Sequence, residues 1–185
     1  MKILTNTHQE NQLKHFTQLI LEWNKIHNLT GAKTPHEVEE NITDSLYPTT
    51  FIQIPNSILD VGTGAGFPGL ILAIAYPDTP TVLCEPRNKR ASFLKYVAME
   101  LELTNVTVVK KRVETYQHEP FGLISSRAVT NTQMLLELTK HLQNSETHYL
   151  FYKGEQLFDE LKDITREMDY DIIQKNKRNY LYIKG

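Results

Sequence analysis

The sequence predicts an α/β fold: a mostly parallel seven-stranded sheet that ends in a C-terminal antiparallel hairpin and is preceded by an N-terminal helical extension. Three observations predict it. Residues 1–50 have helical periodicity, residues from 57 onward alternate short β-rich runs with helical stretches, and residues 169–185 leave no room for another helix. Alternating strands and helices require a parallel sheet with helices on both faces. We therefore expect a helical extension over 1–50 and one compact domain over 57–185.

The N-terminal extension is predicted to contain two helices. Apolar residues at steps of three and four predict a first helix of about four turns: Leu13, Phe16, Ile20 and Trp23. After a turn at Gly31, residues 34–37 (TPHE) have the pattern of a capping box with proline at the first helical position. Val38, Ile42 and Leu46 follow at i, i+4 and i+8, which predicts the apolar face of the second helix.

The remaining elements follow from short apolar runs, turn residues and helical spacing. The predicted strands are 58–61, 81–85, 106–110, 121–125 and 147–152, with two more on either side of a turn near Asn176. The predicted helices between them are 69–76, 88–101, 132–142 and 156–168. There are no internal repeats.

Length and composition limit the function classes. A chain of 185 residues with 40% hydrophobic residues and a formal net charge of −2 is long enough for one packed core. Its longest apolar run, 70–76, is far shorter than the roughly 20 residues of a membrane-spanning helix, and the N-terminus lacks a secretory pattern. The single cysteine, Cys84, excludes an internal disulfide, and the seven histidines lack metal-site spacing. We expect a cytoplasmic monomer without a bound metal or membrane association.

A glycine-rich turn follows the first predicted strand, in the stretch ILDVGTGAGFPG at 58–69. Such a turn lies where ligands bind in open α/β sheets, because glycines let backbone N–H groups approach the ligand. Two ligands fit the spacing. Residues 64–69 match the dinucleotide fingerprint G-x-G-x-x-G, which alone is weak evidence. Residues 60–66 match the D/E-x-G-x-G-x-G loop associated with S-adenosylmethionine.

Charge distinguishes these two ligands. Pyrophosphate is an anion that binds N–H groups and is repelled by a nearby carboxylate. The ammonium and sulfonium groups of S-adenosylmethionine are cations that a carboxylate attracts. Asp60 therefore favours the methyl donor. Glu85 ends the second strand and is predicted to accept hydrogen bonds from ribose hydroxyls, which both ligands carry. The C-terminal antiparallel strand is typical of class I methyltransferases, whereas nicotinamide-binding folds are usually all parallel. Asp60, Gly62, Gly64, Gly66 and Glu85 are therefore candidate cofactor-binding residues.

The acceptor atom is constrained by elimination. Methylation of a pyrimidine C5 needs a cysteine nucleophile, but Cys84 lies in a strand that we predict to be buried. The loop after the fourth strand, SSRAVTN at 125–131, lacks the Asn/Asp-Pro-Pro-aromatic pattern of amino-group methylases. Guanine N7 is one acceptor that remains, because its lone pair carries no proton and needs no general base. A methyltransferase for a small molecule or a protein, and a dinucleotide-binding protein without catalysis, remain as alternatives.

Several longer motifs resemble one family. They are WNKIHNLTGAKTPHEVEENITDSL, ILDVGTGAGFPGLILAI, RNKRASFLKYVAMELELTNV, KRVE, ISSRAV and FYKG, in this order between residues 16 and 184. Together they closely resemble the bacterial small-subunit ribosomal RNA guanine-N7 methyltransferases, also called the glucose-inhibited division protein B family. The resemblance implies a class I methyltransferase fold, S-adenosylmethionine as the donor, and methylation of a guanine N7 in the 530 loop of 16S ribosomal RNA or the small subunit.

The resemblance also implies specific donor contacts. They match Gly62 and Phe67 in the glycine loop, Val113 and Glu114 after the third strand, and Arg127 after the fourth. Val113 and Glu114 would frame the adenine. The family often has a histidine where this chain has Asn41, so that histidine's role is not carried over.

Arg127 is expected at the carboxyl end of its strand, beside the reacting methyl group. We predict that it holds the donor's carboxylate, a phosphate or the guanine O6, and that no residue acts as a general base. A salt bridge between Arg127 and Glu114 is the structural alternative. Arg112 and Lys153, at strand ends on the donor edge, are candidate RNA contacts. Other basic residues cluster at 87–90, 110–112 and 175–178.

Overall fold

The structure, a computed structural model, describes residues 6–162, 164 and 168–185. The helices are α1 (Thr7–His27), α2 (Pro35–Leu46), α3 (Gly69–Ala75), α4 (Asn88–Glu100), α5 (Thr132–Thr139) and α6 (Leu157–Lys162). The strands are β1 (Ile58–Val61), β2 (Thr81–Cys84), β3 (Val106–Val109), β4 (Leu123–Arg127), β5 (His148–Lys153), β6 (Tyr170–Lys175) and β7 (Arg178–Ile183).

The seven described strands form one sheet in the order β3-β2-β1-β4-β5-β7-β6. The strands β1 to β5 pair in parallel, and β7 pairs antiparallel with both β5 and β6. The predicted α/β class, the parallel sheet and the terminal hairpin are thus confirmed. The strand order reverses beside β1, so the β1–α3 turn lies at the switch point where α/β sheets bind ligands.

Two apolar layers cover the sheet. On one face, α1 to α4 share a core that includes Phe16, Ile20, Val38 and Leu94. On the other face, α5 and α6 pack against apolar side chains of the central strands and β7. The N-terminal helices therefore share their core with α3 and α4, which places α2 close to the edge of the sheet where β4 ends.

The ends of the first two helices follow local signals. The Thr34 hydroxyl accepts from the Glu37 backbone N–H at 3.3 Å, and the Glu37 carboxylate accepts from the Thr34 N–H, which confirms the predicted capping box. Helix α1 has 21 residues and is longer than the predicted four turns. The Asn6 side chain caps its first turn, and Asn28, with a φ of 48°, ends it in the left-handed conformation.

The largest other differences from the predicted bounds are in β4, α5 and α6. Strand β4 starts at Leu123, two residues later, because the N–H of Phe121 is bonded to Leu142 and that of Gly122 to the Ser57 hydroxyl. Helix α5 ends at Thr139 and continues as a 3₁₀ turn over Lys140–Leu142. Helix α6 spans Leu157–Lys162; of the rest of the predicted helix 156–168, residues 163 and 165–167 lie outside the described residues.

Candidate functional site

The glycine loop between β1 and α3 requires its glycines for backbone conformation. Gly62, Gly64 and Gly66 have φ values of 65°, 61° and 104°, which residues with a side chain rarely adopt. A methyl group added at Gly62 would also lie 2.5 Å from Cγ2 of Val129, in the loop after β4. Gly64 has more room, since nothing lies closer than 3.9 Å to the corresponding position. The loop therefore presents a bare backbone at the carboxyl ends of β1 and β4.

Asp60 lies beneath this loop. Its carboxylate is 0% exposed, and it accepts hydrogen bonds from the Gly69 N–H at 3.0 Å and from the Ser125 hydroxyl at 2.7 Å. Each carboxylate oxygen of Asp60 thus accepts one hydrogen bond, one from the start of α3 and the other from β4. Asp60 organises the loop from below, and its predicted contact with the donor's ammonium group stays a prediction.

Burial raises the pKa of Asp60 to about 6, although the hydrogen bonds from Ser125 and Gly69 favour the ionised form. The buried Thr63 hydroxyl also lies close enough to lower this pKa, but it makes no hydrogen bond of acceptable geometry with the described residues. The Asp60 side chain therefore retains a proton to a much higher pH than an exposed aspartate, whose pKa is about 3.9.

The free energy of unfolding should depend on pH through Asp60, and the Asp60→Asn variant is expected to lose this dependence. The folded state binds the proton more tightly, so Asp60 stabilises the fold below pH 4 and this contribution is lost as pH rises through about 6. The loss corresponds to about 2 kcal/mol between pH 4 and 7.5. Urea unfolding of both proteins at these two pH values measures it. Equal pH dependence in the two proteins would contradict the raised pKa of the buried Asp60 side chain.

Glu85 occupies the position predicted for a ribose-binding carboxylate. It follows β2, is 2% exposed, and accepts from the N–H groups of Gly64 at 3.0 Å and Arg87 at 2.8 Å. Each carboxylate oxygen has a second acceptor site, so these bonds leave capacity for ribose hydroxyls. Glu85 thus joins the second strand to the glycine loop.

Arg127 is the last residue of β4, and its guanidinium is enclosed by the glycine loop and α2. Its carbon Cζ lies 4.9 Å from the centroid of the Phe67 ring. Nη1 donates to the Asn41 side chain at 3.0 Å and to the Asp44 carboxylate at 3.2 Å. Burial lowers the pKa of Arg127 and Asp44 opposes this change, so the guanidinium keeps its charge. Phe67 and Arg127, both predicted donor contacts, lie side by side.

The alternative partner for Arg127 was wrong. Glu114 pairs with Arg112, at 3.7 Å and on the surface, rather than with Arg127. The reason is that Asp44 on α2 reaches the end of β4, whereas Glu114 follows β3, which β2 and β1 separate from β4 in the sheet.

Sequence reasoning missed three residues around Arg127. Asp44 also accepts from Nε of Arg178 at 3.0 Å and from the Tyr180 hydroxyl at 2.9 Å. One carboxylate thus joins α2, β4 and the C-terminal hairpin. Asn41, which stands where the family often has a histidine, accepts a hydrogen bond from Arg127. Asp44 lies 134 residues from Arg178 and 136 from Tyr180 in the sequence, so no local signal connected them.

Val113 and Glu114 lie in a short 3₁₀ turn, Val113–Thr115, that follows β3 at the donor edge. Val113 is buried, and Glu114 is exposed. Their predicted role in framing the adenine is not tested by these positions.

Cys84 is 1% exposed and its thiol donates to the Lys111 carbonyl. Burial raises the pKa of Cys84 to about 12, so it carries a proton at neutral pH and is a poor nucleophile. This agrees with the exclusion of a cysteine mechanism.

The two candidate RNA contacts differ in exposure. Arg112 is exposed at the end of the β3 loop. Lys153 is 8% exposed, and its ammonium donates to the Thr130 carbonyl at 2.9 Å and to the Glu160 carboxylate at 2.8 Å. Lys153 therefore holds the β4–α5 loop to α6, and the structure offers no free ammonium at this position for a phosphate.

Among the described residues, no group of three or more histidine, cysteine or acidic side chains is arranged to hold a metal ion. No helix within the described ranges is long and apolar enough to span a membrane.

Comparison with protein families gives one match over almost the whole chain. Residues 9–182 match the GidB family model, described as rRNA small subunit methyltransferase G. Curated relatives named Ribosomal RNA small subunit methyltransferase G include one from Aliarcobacter butzleri, 51% identical over 92% of this chain and 87% of the relative. Another, from Helicobacter acinonychis, is 44% identical over 92% of this chain and 94% of the relative.

Two solved structures share the fold at low sequence identity. A methyltransferase from Geobacter sulfurreducens aligns with a TM-score of 0.66 at 11% identity, over 92% of this chain and 88% of that one. A structure from Methanococcus maripaludis, described as a putative S-adenosyl-L-methionine-dependent methyltransferase, aligns with a TM-score of 0.64 at 13% identity, over 100% and 96%. These likenesses concern the fold alone, and they agree with the class I architecture described above.

Proposed function

This chain belongs to the rRNA small subunit methyltransferase G family, and we propose that it transfers a methyl group from S-adenosylmethionine to N7 of a guanine in the 530 loop of 16S ribosomal RNA. Membership of the family makes the chain an S-adenosylmethionine-dependent methyltransferase with ribosomal RNA as substrate. The nucleotide and the acceptor atom follow from the resemblance of its motifs.

The observation that carries the proposal is the arrangement at the end of β1 and β4. A turn with three glycines at positive φ, a carboxylate at the end of β2 and a guanidinium stacked on Phe67 meet at one edge. The bare loop leaves room for a nucleoside, and Glu85 retains acceptor capacity for ribose, so the site fits the donor. The residues that we propose to hold it are Asp60 (through the loop that it orders), Gly62, Gly64, Gly66, Phe67, Glu85, Val113, Glu114 and Arg127.

The chemistry needs little from the protein beyond alignment. S-Adenosylmethionine supplies an electrophilic methyl group: the guanine N7 lone pair forms the new N–C bond while the C–S bonding pair remains on sulfur. N7 carries no proton, so no general base is required. The protein has to bind both partners in line and exclude water, which accounts for most of the rate of such a transfer.

We assign to Arg127 a positioning role. Its guanidinium lies where the reacting methyl group is expected and can bond the donor's carboxylate or the guanine O6. A donor aimed at N7 itself would occupy the attacking lone pair. Asn41 and Asp44 fix one side of the guanidinium and thereby set the direction of its remaining N–H groups.

We further propose that the protein acts as a cytoplasmic monomer on the small ribosomal subunit or its RNA. The large exposed apolar side chains of the described residues belong to several different elements, for example Ile26 to α1, Met99 to α4 and Phe158 to α6. Light scattering coupled to size exclusion measures the mass in solution, and a dimer mass would contradict the monomer.

Transfer of a tritiated methyl group tests the function. Small subunits and naked 16S RNA, both from cells that lack the modification, are offered with labelled S-adenosylmethionine, and cell extract freed of ribosomes serves as a source of proteins and small molecules. We expect label in 16S RNA. Label confined to the ribosome-free extract would favour a small-molecule or protein acceptor instead.

Calorimetric titration with S-adenosylmethionine and with a nicotinamide dinucleotide distinguishes the proposed methyltransferase from a dinucleotide-binding protein. A dinucleotide-binding protein would bind a nicotinamide dinucleotide more tightly than S-adenosylmethionine, and we expect the opposite order. Tighter binding of the dinucleotide would contradict the proposed donor.

A further inference from the structure

A concavity of about 730 Å³ lies beside the glycine loop, at the carboxyl ends of β4 and β5. We call it the β4–β5 basin. Its walls are the loop 128–131, the loop 154–156 and the hairpin turn at Lys177 and Arg178, and its floor includes Tyr152. This volume falls within the roughly 300–1,000 Å³ of small-ligand pockets, so one nucleotide can enter it.

Val129 joins the basin to the donor loop. Its side chain lines the basin, and its Cγ2 lies against the backbone of Gly62. The preceding residue, Ala128, has a φ of 55°, and this left-handed turn directs the chain across the end of β4. The basin therefore adjoins the glycine loop at Val129.

Two carboxylates line the basin, and they differ in how they are engaged. Glu160 accepts from the N–H and hydroxyl of Thr132, both at 2.7 Å, and from the Lys153 ammonium at 2.8 Å. Glu155 is exposed and makes no hydrogen bond or ion pair with the described part of the chain. Glu155 is thus the carboxylate in this wall with its full acceptor capacity available to a ligand.

The strand order places different loops on the two sides of the basin. The donor loop follows β1, and the loop with Glu155 follows β5, on the other side of β4. Guanine has N7 on one edge of its ring system and the N1–H and N2 amino donors on the other. A guanine with N7 towards the donor loop therefore presents two adjacent donors towards the β5 side. A carboxylate, which only accepts, is the matching partner for two adjacent donors.

The hairpin turn adds a cation to the same wall. The Lys177 side chain is exposed, lines the basin and has no ion pair among the described residues. Its neighbours are engaged, because Arg178 is bonded to Asp44 at 3.0 Å and the Lys175 ammonium lies 4.0 Å from the Tyr47 ring centroid. In a chain with a net charge of −2, a free lysine at the mouth of this basin supplies a local positive charge that can neutralise a phosphate.

We propose that the β4–β5 basin receives the target guanosine, with Glu155 accepting from its N1–H and N2 amino groups and Lys177 neutralising a flanking phosphate. Glu155 is then a specificity-determining residue. This inference rests on the proposed function, because it names where the acceptor of that reaction binds.

The test replaces the target guanosine of 16S RNA by inosine, which keeps N7 and lacks the N2 amino group, in reconstituted small subunits. The ratio of kcat/KM for guanosine to that for inosine is measured for the wild type and for Glu155→Gln. We expect a ratio of about ten or more for the wild type, because the second hydrogen bond to a charged acceptor is lost with inosine. In Glu155→Gln the ratio should fall to about three or below, since an amide has one acceptor oxygen.

Lys177→Ala should lower kcat/KM for both substrates about equally, keep the wild-type ratio, and reduce the salt dependence of RNA binding by about one phosphate contact. The matched controls are Glu146→Gln, exposed before β5 at the opposite edge of the sheet, and Lys14→Ala, exposed on α1. Both should behave as the wild type in every assay.

The outcomes separate this inference from the proposed function. If the wild type methylates no guanosine in 16S RNA, the proposed function fails. If it methylates guanosine and Glu155→Gln keeps the full guanosine-to-inosine ratio, the assignment of Glu155 is overturned while the function stands. A change in that ratio for Glu146→Gln, or an unchanged salt dependence for Lys177→Ala, would overturn the placement of the base or of the phosphate.

Discussion

The Arg127→Ala variant is expected to lose methyl transfer by about 100-fold or more in kcat/KM. The guanidinium is the positive charge that the structure fixes between Phe67 and α2 at the end of β4. Removing a prearranged group of this kind typically costs 10²- to 10³-fold. Single-turnover transfer to small subunits measures the loss, and calorimetry shows whether donor affinity falls with it.

Two further variants separate function from folding. Arg112→Ala removes one positive charge from the same edge of the sheet, but its side chain is exposed and only weakly paired, so donor affinity should remain within about twofold of the wild type. Arg127→Lys keeps the charge without the planar fork and should recover only part of the activity. Arg127→Ala with most of its activity retained would contradict the assigned role.

The Gly69→Ala variant is expected to lose about 3–5 kcal/mol of unfolding free energy. A methyl group there would lie 2.5 Å from Cβ of Asp60 and 2.6 Å from both Oδ2 of Asp60 and Cδ2 of Leu83. All three atoms belong to fully buried residues, so none can move into solvent. Overpacking costs about 1–3 kcal/mol or more, and displacement of the Asp60 carboxylate would leave the Gly69 N–H without its acceptor.

Gly31→Ala is the matched control. Nothing lies within 4 Å of the added methyl group at that position, and the substitution should be neutral or slightly stabilising. Urea unfolding of the two variants at pH 7.5 measures the difference. Equal stability of Gly69→Ala and Gly31→Ala would contradict the close packing of Asp60 against the start of α3.

Local sequence signals predicted much of the fold. The capping box at Thr34 and the alternation of strands and helices depend on residues that are close together in the sequence, and both are present in the structure. The glycines of the β1–α3 loop were also readable, because positive φ values select glycine. The start of β4 could not be predicted from local sequence, because it is set by hydrogen bonds from the Phe121 N–H to Leu142 and from the Gly122 N–H to Ser57.

Long-range contacts explain what the site analysis could not predict. Asp44 and Tyr180 are 136 residues apart in sequence, and only the fold brings both to Arg127. The burial of Lys153 depends on the Thr130 carbonyl and on Glu160. Asp60 was correctly placed at the end of β1, but the direction of its carboxylate depends on Gly69 and Ser125, which approach it from two other elements.

The position of the transferred methyl group tests the central claim most directly. Small subunits from cells that lack the modification are incubated with the protein and S-adenosylmethionine, the 16S RNA is treated to cleave the chain at N7-methylguanine, and primer extension locates the cleavage. We expect one enzyme-dependent cleavage, at a guanine of the 530 loop. Transferred label without any such cleavage, or cleavage elsewhere in the RNA, would contradict the account.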